Sequence, residues 1–137
     1  MTELVPEGFA PHTRKSGLTD PSEPIYAMKD HDVLILGLRA GPAHVNSRGF
    51  VHGGLVTALA DNAMGLTCAG QIPDVASLVT VSLSVDFLAT ARQGQWVTFE
   101  TRFTKHGSSL SFADCFVKAD GEPCARVSGT FRALRKT

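Results

Sequence analysis

The sequence predicts an α+β domain in which one long helix lies against a meandering antiparallel sheet. Three observations carry this. Residues 53–70 have helical spacing, with Leu55, Leu59, Asn62/Ala63 and Leu66 on one stripe and many alanines beside them. After the helix the pattern switches to period two, and turn signals divide it into four strands. The chain has 137 residues, 43% of them hydrophobic and 19% charged, which suits one soluble domain closing a single core without staples.

In chain order, residues 1–24 form an irregular arm, rich in Pro, Gly and charge, that lies on the domain. Residues 25–137 form the single domain. It opens with two strands, 25–29 and 33–40, joined by the turn Asp30-His31-Asp32. Residues 41–51 are a loop of Gly, Pro, His and Asn, and the helix follows, with Gly70 as its stop. In 78–87, Val79, Val81, Leu83, Val85 and Phe87 alternate with Thr80, Ser82, Ser84 and Asp86. Strict alternation places Thr80 on the side of Ser82 and Ser84. The remaining strands, 95–105, 109–118 and 122–134, are joined as hairpins at Gly107-Ser108 and Asp120-Gly121.

Thirteen basic and thirteen acidic residues cancel, which argues against a general affinity for nucleic acid or anionic membranes. Cys68, Cys115 and Cys124 are odd in number and widely spaced, so a disulfide framework or metal site is not expected; they read as small buried hydrophobes in a reducing compartment. Residues 1–17 lack a signal-peptide core, and no apolar run approaches the roughly 18 residues that span a bilayer. The expected location is the cytoplasm.

The chemistry is concentrated in residues 46–61, Asn-Ser-Arg-Gly-Phe-Val-His-Gly-Gly-Leu-Val-Thr-Ala-Leu-Ala-Asp. Gly53 and Gly54 open the helix, where backbone N–H groups lack intrahelical partners and the helix dipole favours developing negative charge. Glycine also lets a substrate approach the backbone. The blander reading is a tight turn into the helix. Asp61 is a carboxylate in an Ala- and Leu-rich helix, expensive to bury without partners. It can serve as a general base that activates water or as a nucleophile.

Gly53 and Asp61 are separated by about 12 Å of axial rise, too far for both to reach one acyl carbon from the same chain. Two antiparallel helices from two subunits can do so. A dimer at least is therefore expected, with two identical sites about its two-fold axis.

The same segment resembles the signature of hotdog thioesterases of the phenylacetyl-CoA thioesterase (PaaI-like) group, with Asn46, His52-Gly53-Gly54 and Leu59-Ala60-Asp61 in register. The segments SVDFLATARQGQWV and KHGSSLSFADCFVKADGEPCARVSGTFRAL resemble that family's later strands. The resemblance implies a hotdog fold, a sheet wrapped around a central helix, and hydrolysis of an acyl-CoA with an aromatic or medium-chain acyl group. It further implies that Asn46 and Gly53 of one subunit hold the thioester carbonyl, while Asp61 of the neighbour acts on it with the hydroxyl of Thr80. The assembly it implies is a homotetramer built as a dimer of dimers. No cofactor is expected beyond the coenzyme A carried by the substrate.

Around this centre, His52 either steadies the loop or touches substrate, as Gly54 also can. His44 and His52 lack a metal-binding spacing. Arg92, with Arg48, Lys105, Arg132 and Arg135, is a candidate for the CoA phosphates. Gly107, Ser108 and Ser109 resemble the family hairpin beside the pantetheine channel. Phe50, Met64, Phe87 and Leu88 are candidates for setting pocket width, and Trp96 is expected in the core or an interface. Two rival functions remain on sequence: a non-catalytic acyl-CoA binding or sensing module, and a hotdog acyl-thioester dehydratase or hydratase.

Overall fold

The structure, a computed structural model, describes residues 4–137. Seven strands form one sheet in the order β1-β2-β3-β5-β6-β7-β4, every neighbour antiparallel. The strands are β1 (Ala10–Pro11), β2 (Tyr26–Asp30), β3 (Val33–Arg39), β4 (Val75–Phe87), β5 (Trp96–His106), β6 (Leu110–Ala119) and β7 (Glu122–Arg135). The one α-helix among the described residues, α1 (Gly53–Gln71), packs against β3, β4, β5, β6 and β7, so the sheet curls around it. This is the hotdog architecture.

The helix is held by its apolar stripe. Val56, Leu59, Ala60, Ala63, Met64, Thr67 and Cys68 recur at intervals of three and four and are all buried. Small residues on the stripe allow close approach; Ala60 and Ala63 are fully buried. The sheet makes matching room: a Cβ at Gly129 would lie 2.8 Å from Phe131 and 3.0 Å from Met64. Thr67 also ties helix to sheet, because the Leu34 N–H donates to its hydroxyl at 3.1 Å.

Two local expectations are corrected. The helix does not stop at Gly70 but continues to Gln71, and Ile72 closes it in an extended conformation, its N–H donating to the Cys68 carbonyl. The β4 strand begins at Val75, earlier than its alternating stretch, and it does not alternate throughout. A β-bulge between Thr80 and Ser82 shifts the register: Thr80 pairs with buried Phe131, whereas Ser82 and Ser84 pair with Thr130 and Ser128. The extra residue, Val81, reverses the strand's parity. Thr80 therefore faces the helix along with Leu83 and Val85, and not the side of Ser82 and Ser84.

The two sheet edges differ. Short β1 ends the sheet at Pro11, which has no N–H to offer. At the other edge stands β4, thirteen residues long, with Val79 and Val81 50% and 58% exposed. The hairpin between β6 and β7 turns at Asp120 and Gly121, both at positive φ (48° and 85°), which glycine accepts readily.

Candidate active site

The loop before α1 is built by its own polar groups. The Asn46 side-chain oxygen accepts from the N–H groups of Arg48 (2.9 Å) and Phe50 (3.2 Å). With that oxygen committed, the side-chain NH2 of Asn46 is left to donate elsewhere. His44 is buried: its Nδ1 accepts from the Gly41 N–H at 2.8 Å, so Nε2 carries the proton and donates to the Ser22 carbonyl at 2.7 Å. It therefore clamps the arm to the loop.

At the helix tip, His52 is the N-cap, and its Nδ1 accepts from the Gly54 N–H at 2.9 Å. The Val56 N–H donates to the His52 carbonyl. The two glycines thus part company. The N–H of Gly54 is engaged by His52 and is not free for a substrate, whereas that of Gly53 has no partner among the described residues. Gly53 is crowded from one side only, since a Cβ there would lie 3.0 Å from the Phe87 ring.

Eight residues along the helix, Asp61 is half-buried on the side of α1 turned away from the core stripe. The Thr80 hydroxyl donates to Asp61 Oδ1 at 2.8 Å. The bulge at Val81 makes this contact possible by turning Thr80 toward the helix.

These groups open into two separate cavities. The first, about 460 Å³, is walled by Asp61, Asn62, Gly65, Leu66 and Ala69 of α1, by the start of β4 including Thr80, by Phe131 of β7, and by residues 12–19 of the arm. The second, about 220 Å³, is lined by Asn46, Arg48, Phe50, Val51, Gly53, Phe87 and neighbouring residues. No residue lines both. Within one protomer the structure brings Asp61 to Thr80 and Asn46 to Gly53, but it does not bring the two pairs together.

The thioesterase superfamily model matches residues 48–125. Over 128 residues the chain is 37% identical to a Pseudomonas aeruginosa protein named as an esterase, covering 93% of this chain and 96% of that one. The chain belongs to the thioesterase superfamily. A Bacillus halodurans protein solved with CoA superimposes with a TM-score of 0.72 at 28% identity, over 81% of this chain and 74% of that one. The phenylacetic acid degradation protein PaaI from Thermus thermophilus has the same fold, with a TM-score of 0.72, 21% identity, and coverage of 80% and 93%.

Other expected residues of this thioesterase fall in different places. Arg92 and Arg48 lie over the Phe50 ring, their guanidinium carbons 5.1 and 5.2 Å from its centroid; Arg48 and Phe50 line the second cavity, and Arg92 does not. Gly107, Ser108 and Ser109 form the exposed turn between β5 and β6 and line neither cavity of their own protomer. Arg135 is occupied by the Pro73 carbonyl at 2.7 Å. Met64 is fully buried under Gly129 and lines neither cavity, while Phe50 and Phe87 line the second and Leu88 is exposed. Trp96 is buried beneath Phe9 of the arm, their ring centroids 5.2 Å apart.

All three cysteines are free and buried, and burial pushes the Cys68 and Cys115 thiols up to about 11 and about 12. They are packing groups and not nucleophiles. Among the described residues no cluster of His, Cys, Asp and Glu could hold a metal, and no helix is long and apolar enough to cross a membrane. Sequence reasoning missed the arm's part in the first cavity. Its signal was the basic run His12-Thr13-Arg14-Lys15 in an otherwise balanced chain.

Proposed function

We propose that this thioesterase hydrolyses acyl-CoA thioesters, with aromatic or medium-chain acyl groups, at sites each shared by two copies of the chain. The observation that carries this is the separation of Asp61 and Gly53 into different cavities, about 12 Å apart along the helix. A second copy running antiparallel supplies the missing half of each site. The long, apolar, unpaired edge of β4 is the surface suited to that pairing, which continues the sheet and sets the two helices antiparallel. A further pairing of dimers into a tetramer belongs to the same proposal.

At each site, the Gly53 N–H and the Asn46 side-chain NH2 of one subunit donate to the thioester oxygen as it becomes negative. Asp61 of the other subunit supplies the attack. As a base it takes a proton from water, whose oxygen bonds to the carbonyl carbon; as a nucleophile it bonds to that carbon itself, and water releases the acyl group afterwards. In either course the carbon–sulfur bond breaks, and CoA leaves as the thiol after protonation. The Thr80 hydroxyl orients the carboxylate. Arg48 and Arg92, spaced around Phe50 beside the second cavity, suit the CoA phosphates. The route uses water and these groups alone, and is placed in the cytoplasm. His52 steadies Gly54 and is bonded to no carboxylate among the described residues, which favours hydrolysis over a His–carboxylate dehydratase.

Complementation tests the shared site. Asp61→Asn removes the attacking group; Asn46→Asp keeps the loop acceptor but sets a negative charge against the developing oxyanion. Each variant alone is expected to release almost no thiol from an acyl-CoA panel. After subunit exchange in an equal mixture, half the dimers are mixed and one site in each is intact. Thiol release should then recover to about a quarter of wild type. A mixture no more active than its components would refute the shared site. Wild-type protein that released no thiol from any member of the panel would refute thioester hydrolysis.

A further inference from the structure

The arm is fastened along its length. The Leu4 carbonyl accepts from Arg39 at 2.6 Å, Phe9 rests on Trp96, and β1 pairs with β2. The His12 N–H donates to the Ile25 carbonyl at 2.9 Å, and Ser22 is gripped by buried His44 at 2.7 Å. Between these anchors, residues 12–19 pass along the Asp61 cavity and present His12, Arg14 and Lys15 to it. Lys15 is ion-paired with Glu23 at 3.1 Å, whereas Arg14 has no partner among the described residues. Burial depresses the His12 pKa; Glu23 opposes this shift, while nearby Lys15 and Arg14 reinforce it. Beyond Asp61, Asn62, Ser77 and Thr80, the helix and sheet walls of this cavity are small or apolar, among them Gly65, Leu66, Ala69, Leu78 and Phe131.

We infer that this cavity receives the acyl group and that the arm's Arg14, supported by Lys15, selects acyl groups ending in a carboxylate. The inference rests on the acyl-CoA reading above and sharpens its substrate class. A thioester has two limbs leaving its carbonyl carbon, and the shared site offers two cavities. Arg48 and Arg92 stand beside the Gly53 cavity as a pair of guanidiniums, matched to the phosphates of CoA. The CoA limb therefore leaves on that side, and the acyl limb fills the roughly 460 Å³ beneath the arm. One unpaired guanidinium is matched to a single terminal carboxylate rather than to several phosphates. Along the way, the apolar walls cover the body of the acyl group.

The experiment compares hexanoyl-CoA with adipyl-CoA, and benzoyl-CoA with 4-carboxybenzoyl-CoA, in wild type and in Arg14→Gln/Lys15→Gln. Wild type is expected to favour the carboxylate-ended member of at least one pair. The variant should raise KM for that member on the order of tenfold, the scale of one charge-assisted hydrogen bond, and leave its neutral counterpart nearly unchanged. An equal rise for both members would put Arg14 on the CoA phosphates and overturn the acyl assignment. Unchanged KM for every substrate, or a wild type preferring the neutral member of both pairs, would overturn the anion subsite. Asp61-dependent thiol release from any of the four would leave the thioesterase reading standing in each case.

Discussion

Replacing Thr80 with Val isolates the contact that the β4 bulge creates. The change removes one hydroxyl and keeps the branched shape, and in an exposed strand position Val is at least as well suited as Thr. Folding stability should therefore stay within about 0.5 kcal/mol of wild type. What is lost is the 2.8 Å hydrogen bond to Asp61 Oδ1. A hydrogen bond to a charged group contributes roughly 1.5–3 kcal/mol, and Thr80 is exposed within its own protomer, so the lower end applies. About 1.5 kcal/mol is close to tenfold in rate. The assay is thiol release from acyl-CoA under saturation, with thermal unfolding alongside. Thr80→Val should lower kcat about tenfold with little change in KM, and Thr80→Ser should restore most of it. In the Asp61→Asn background the Thr80 change should add almost nothing, because the two groups act as a unit. A full tenfold loss in that background would refute the coupling, as would an unchanged kcat in the single variant.

Four further outcomes follow from the structure. Val79→Lys/Val81→Lys puts charge on the open β4 edge and should yield monomers by light scattering with thiol release lost; an active monomer would refute the shared site. Gly129→Ala drives a Cβ to 2.8 Å from the Phe131 ring, so overpacking of about 1–3 kcal/mol should lower Tm by roughly 5–10 °C in calorimetry. Because burial raises the Cys68 and Cys115 thiols to about 11 and about 12, a thiol reagent at pH 8 should modify neither in native protein and both after unfolding. The sign for stability follows: the folded state keeps protons that the unfolded chain gives up above its ordinary thiol value of 9.0, so denaturant midpoints should fall as pH rises from 9 toward 11.

What the sequence disclosed depended on how local each determinant is. The helix was legible because apolar and small residues recur along it with helical period. The stripe read at Leu55, Leu59, Asn62/Ala63 and Leu66 is nevertheless offset from the buried one, which runs from Val56 to Cys68 and leaves Leu55 and Leu66 half-buried. The β6–β7 hairpin was legible because Asp120-Gly121 is a turn of specific chemistry. Asp61 stood out because a carboxylate in such a helix demands an explanation. The bulge was not legible, since inserting Val81 leaves a run of strand-forming residues that looks regular in one dimension. Only pairing with β7 shows that Thr80 and Leu83, three positions apart, share a face. The division of labour between the two glycines was hidden for a related reason: it depends on a rotamer of His52 that turns Nδ1 onto the Gly54 N–H. That cap has a functional consequence. His52 satisfies the Gly54 N–H and leaves that of Gly53 without a partner among the described residues, in the cavity that Asn46 and Phe87 also line. In the shared site proposed above, this Gly53 N–H, beside the Asn46 side chain, is the donor that would meet the thioester oxygen.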